Sequence, residues 1–161
     1  MCLDSKGIAS SEVAELGGRL PIYLHWSPSE AHLAVLTQRS DDNEANLNLS
    51  VVDPTRPGSE RELAEGTPLF FTWAGERLAA FVGGRSQGHA RLSLLDPETK
   101  KPTVILPGTP GNFCAPVYQN GRVLYVTYIA GRPTIVSSTP GTPDFRELCS
   151  TQGLVALVLS P

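Results

Sequence analysis

Several groups of residues have the types and spacing that chemistry uses. Gly84-Arg85-Ser86-Gln87-Gly88 matches the G-x-S-x-G pattern of a serine nucleophile elbow. That elbow needs a strand before the serine, a helix after it and a distant downstream histidine. A strand-forming run precedes Ser86, but a second such run, Arg91–Leu95, follows it. The only later histidine, His89, sits in the same loop. The pattern therefore reads as a Gly-rich hairpin loop, where glycine supplies positive φ. Asp41-Asp42-Asn43-Glu44 offers oxygen donors for a hard cation, but it lacks the alternating spacing and the glycine of an EF-hand loop. It reads as a solvated loop.

The other reactive types are scattered. His25, His32 and His89 do not cluster, and His25, in an apolar run beside Trp26, reads as a half-buried, hydrogen-bonded histidine. Cys2, Cys114 and Cys149 are odd in number and contain no CxxC spacing, so they read as small buried hydrophobes. Asn48-Leu49-Ser50 matches a glycosylation sequon but lies within an expected strand. No catalytic residue, metal site or cofactor is assigned from these groups.

The elements that must position such residues are short strands. The chain has 161 residues, 40% of them hydrophobic and 18% charged, which suits one domain with a core. A net charge of −3 argues against a general affinity for nucleic acid. No apolar run is long enough to span a membrane, and no signal peptide is legible, so the compartment stays open. Gly 15 and Pro 14 are spread along the chain and imply frequent turns.

Those turns recur in order. IYLHWSPSEAHLAVL at 22–36 is a strand, a Ser-Pro turn and a second strand. Leu33, Leu78 and Val123 match at a constant offset of 45 residues, and Trp26, Trp73 and Tyr118 share one repeat position. The repeated aromatic reads as a packing residue between neighbouring units. Each repeat reads as four strands. In the first these are Pro21–Trp26, His32–Thr37, Leu47–Asp53 and Arg61–Glu65. An outer strand is expected over Ser11–Leu16, where a helix would be barely two turns long.

Three tandem copies of a four-stranded unit predict an all-β fold of β-propeller blades, four antiparallel strands each. About three full blades are expected, at 19–66, 67–108 and 109–153. Partial blades flank them, the end of one at 1–18 and the first strand of another at 154–161. A β-sandwich or barrel is the competing architecture. Fifteen strands beginning and ending within a blade imply a fragment of a larger propeller. Its open edges invite self-association, for instance two copies closing a ring of seven or eight blades. A strained four-bladed ring and an open, aggregating fragment are the alternatives.

Trp26-Ser27-Pro28-Ser29-Glu30, the Leu33-Ala34-Val35-Leu36 strand after it, and Val51-Val52-Asp53-Pro54 resemble the TolB-like propeller repeat. That repeat reads aromatic-Ser-Pro-Asp-Gly, two residues, Leu-Ala-aromatic, then a strand ending in Asp. Ser29 and Glu30 depart from its Asp-Gly, and Ala74-Gly75-Glu76 is a shortened turn. The resemblance covers nearly the whole chain and specifies fold better than function. It implies a non-catalytic interaction module for a protein or peptide partner, with a peptidase's substrate-gating propeller as the alternative. By the propeller rule, Arg39, Asp41, Asp42, Arg85 and His89 share one loop face, a candidate partner-binding surface. A lactonase-like metal enzyme would need acids on the innermost strands, and PIYLHW, PLFFTW, FCAPVY and LVALVL contain none.

Overall fold

The structure, a computed structural model, describes residues 2–3, 10–11, 14–39, 46–83, 91–99, 102–106, 115–142, 144–153 and 157. It is all-β, with no helix among the described residues. Strands β1 (Cys2–Leu3) and β2 (Ser10–Ser11) form a small antiparallel pair. Twelve further strands form three four-stranded antiparallel sheets, each a meander.

The first sheet contains β3 (Arg19–Trp26), β4 (Leu33–Arg39), β5 (Leu47–Val52) and β6 (Arg61–Gly66). The second contains β7 (Leu69–Ala74), β8 (Arg77–Val82), β9 (Arg91–Leu95) and β10 (Pro102–Leu106). The third contains β11 (Val117–Gln119), β12 (Arg122–Ile129), β13 (Arg132–Ser138) and β14 (Phe145–Ser150). Eleven of these twelve strands start and end within two residues of a strand expected from the sequence repeat, and β11 overlaps its own. The outer strand expected over Ser11–Leu16 is not seen at Ala14–Leu16, which runs irregularly into the turn at Gly17-Gly18. Gly17 and Gly18 both have positive φ, which ends extended structure there.

Period-two alternation explains the core. On β8, Leu78 and Ala80 face the first sheet, while Ala79 and Phe81 face the third. Leu69, Phe71 and Trp73 of β7 pack with Ala34, Leu36, Leu49 and Val51 of the first sheet. Leu92 and Leu94 of β9 pack with Val123, Tyr125 and Val136 of the third. The second sheet is therefore buried on both faces, and its strands read as near-continuous apolar runs for that reason.

The turns repeat as well. Asp53 and Asp96 directly follow β5 and β9 and precede a proline. Asp53 Oδ1 accepts the Thr55 backbone N–H at 2.9 Å, and Asp96 Oδ1 that of Glu98 at 2.8 Å, the same Asx turn twice. Asn120-Gly121 and Ala130-Gly131 are two-residue hairpin loops with positive φ at both positions. Each sheet also carries one bulge between its third and fourth strands, with the extra residue on the fourth: Leu63, Thr103 and Leu148. A bulge bends its strand and raises local twist.

Candidate functional site

The sheet-one end where β4 leaves the fold gathers polar residues from all four strands. Arg19 of β3 and Arg39 of β4 are cross-strand partners. Asn48 of β5 pairs with Thr37 on one side and Glu65 on the other. In a regular strand, positions 62 and 65 would face opposite ways. The extra residue Leu63 changes that. It turns inward to the core, and Glu62 and Glu65 come to line one cavity of about 320 Å³ with Gly17, Arg19, Arg39, Asn46 and Asn48.

One wall of this cavity is held in place by its own bonds. The Arg19 guanidinium pairs with Glu60 and donates to Asn48 Oδ1 at 3.2 Å and to the Leu16 carbonyl at 2.9 Å. Ser50 Oγ, fully buried, lies 3.0 Å from Asn48 Oδ1 and 2.9 Å from Glu60 Oε1. Arg19 is thus neutralised by Glu60, and the Asn48 oxygen is occupied, which leaves its NH₂ as the free donor. Arg39, Glu62 and Glu65 are exposed. Among the described residues, the cavity therefore presents the Arg39 guanidinium, without an ion pair, beside two carboxylates.

A second polar group, among turns that join strands within each sheet, ties the first sheet to the second. The Ser29 hydroxyl donates to Glu76 Oε2 at 2.7 Å and the Ser29 backbone N–H to Glu76 Oε1 at 3.2 Å. Arg61 donates to Glu98 Oε2 at 2.8 Å and to the Pro97 carbonyl at 3.1 Å. His32 Nε2 lies 3.4 Å from Glu98 Oε1. The Arg61 hydrogen bond and charge hold the Glu98 carboxyl below its ordinary value of 4.5, with His32 adding a smaller pull. Asp53 is held below 3.8, chiefly by the hydrogen bonds from Thr55. This group clasps two sheets.

Of the residues expected on one loop face, Arg39 lies at the cavity mouth. Asp41, Asp42, Arg85 and His89 lie outside the described residues, as do Ser86, Cys114 and the whole 41–44 acidic run. Sequence reading missed Arg19, Asn48, Glu62 and Glu65. The run Glu60–Glu65 has the charge to suggest them, but only the bulge gives two of its acids a common face.

Three sequence readings are corrected. His25 is exposed rather than half-buried, because β3 is an edge strand whose faces are open; its backbone carbonyl accepts the Trp73 indole N–H at 2.9 Å. Cys149 is an exposed free thiol rather than a buried hydrophobe, because β14 is an outer edge strand exposed along its length. The shared aromatic position packs between sheets at Trp73 and partly at Tyr118, whereas Trp26 is 43% exposed. Among the described residues, no three of His, Cys, Asp and Glu converge as metal ligands would.

Among the described residues, the most extensive apolar exposure is on β3. Leu20, Ile22, Tyr23, Leu24 and Trp26 are 43–59% exposed, although the matching strand β7 buries Leu69, Phe71 and Trp73. Comparison with known proteins finds no matching family model, no matching curated protein and no matching solved structure.

Proposed function

We propose that the three sheets are consecutive blades of a TolB-like β-propeller and that the chain is a non-catalytic module binding a protein or peptide partner. Support for the blades comes from repetition: the same meander, the same bulge on the fourth strand and face-to-face stacking of neighbouring sheets. The Asp-Pro turn recurs at the end of two third strands.

The observation that carries the binding role is the exposure of β3. Among the described residues its outer edge has no partner strand and offers backbone donors and acceptors, and its faces offer five large apolar side chains. An extended segment added to such an edge gains main-chain hydrogen bonds and pockets for alternate side chains. Isolated exposed apolar residues are ordinary, but a contiguous run on one free edge marks an interaction surface.

The test is selection of linear peptides from a random display library against the whole chain, with affinities then measured by fluorescence anisotropy. Enriched peptides should alternate apolar and polar residues. Tyr23→Lys and Leu24→Lys should each weaken them by about tenfold. Enrichment of no peptide, or affinities untouched by both substitutions, overturns the reading.

A further inference from the structure

We infer that the cavity at the end of the first sheet is a binding site for a zwitterionic group, of the class of a peptide's C-terminal lysine. The argument begins with the bulge at Leu63. Without it, Glu62 and Glu65 would lie on opposite faces of β6, one toward the core. With it, both carboxylates line the same space as Arg39, Asn46 and Asn48. At about 320 Å³, that space is at the small end of ligand pockets and suits a single side chain with its terminus.

The charges are divided across the cavity. Arg39 stands on β4 and the two acids on β6, with β5 between them. Neighbouring strands are about 4.8 Å apart, so cation and anions are set roughly 10 Å apart at the backbone. Arg19 is a weaker anion partner than Arg39, because Glu60 matches its charge and Glu60, Asn48 and Leu16 take three of its five N–H donors. Arg39 forms a fork suited to a carboxylate, and Glu62 and Glu65 accept from an ammonium. The Asn48 NH₂, freed by the occupation of its oxygen, is placed for a carbonyl or carboxylate oxygen between them.

A free α-amino acid cannot use both walls through its α-groups, because its carboxylate and ammonium share one carbon. A C-terminal lysine can, because a four-carbon stem separates its ammonium from the backbone. A simple anion would meet two carboxylates, and a simple cation would meet Arg39. The inference goes beyond the partner reading for β3. It uses only the Arg19 end of that strand and does not require its apolar stretch to be covered.

The experiment is an NMR chemical-shift titration of the full chain with glycyl-lysine, its C-terminal amide and glycyl-norleucine. Glycyl-lysine should produce saturable shifts at the Arg39, Asn48 and Glu65 amides. The amide and the norleucine control should each bind about fivefold or more weakly, since each removes one charge-assisted contact. Arg39→Gln should abolish the preference for the free carboxylate but keep that for lysine. Glu62→Gln with Glu65→Gln should do the reverse. All three side chains are exposed, so an unchanged melting midpoint certifies the fold of each variant. Shifts absent from these amides, or three probes binding equally, overturn the proposal. Peptide selection reads the apolar stretch of β3, which this site does not use, so either result stands without the other.

Discussion

Single residues carry the most local logic of this chain. Glu30, in the Ser-Pro turn, has φ of 60°, where the matching turn of the second sheet places Gly75 at 66°. A residue with a Cβ is strained in that region by about 1–2 kcal/mol. Glycine there costs some unfolded-state entropy but removes the strain. Glu30→Gly should therefore raise stability by about 0.5–1 kcal/mol, read as a higher urea midpoint at unchanged slope.

Glu98 and Asp53 belong to the same scale. Both folded carboxyls titrate below their ordinary values of 4.5 and 3.8. A depressed folded pKa stabilises the fold above the unfolded value, and the contribution is lost as pH falls through the depressed one. The thermal midpoint should therefore decline from about pH 5 to about pH 3. Arg61→Gln, which removes the largest cause of the Glu98 shift, should flatten that decline. The Glu98 carboxylate is solvent-facing, so molar salt should weaken its share of the decline too.

At the scale of elements, the contrast between β3 and β7 is the informative one. Both are first strands of a meander, and both begin the chain's approach to an aromatic at one repeat position. Trp73 is enclosed between sheets and its indole N–H reaches the His25 carbonyl, so Trp73→Ala should cost about 3–5 kcal/mol. Leu24 on β3 is 55% exposed, so Leu24→Lys should change stability by no more than about 0.5 kcal/mol. Chemical denaturation of the two variants measures the difference. Gly83 marks another joint between elements. A methyl there would strike Pro68 Cδ at 2.7 Å and the Thr67 backbone, so Gly83→Ala should cost about 1–3 kcal/mol.

For the whole molecule, three sheets bury two interlayer cores and leave the faces of β3 open. Mass action then predicts association that rises with concentration. Analytical ultracentrifugation should show self-association of the wild-type chain, reduced in a Tyr23→Lys, Leu24→Lys double variant. A monomer at all concentrations would leave β3 to a different protein.

The strand order, most strand boundaries and the repeated turns were legible in the sequence. They depend on local chemistry: alternation with period two, Asp-Pro turns, and glycine where φ must be positive. Arg39 was legible as a loop-end residue. The cavity around it was not. Glu62 and Glu65 share a face only because one extra residue enters the β5–β6 ladder, and a bulge depends on pairing between strands, not on composition. The exposure of His25 and Trp26 was equally hidden. Whether an apolar strand is core or surface depends on what packs against its faces, and only the tertiary structure decides that.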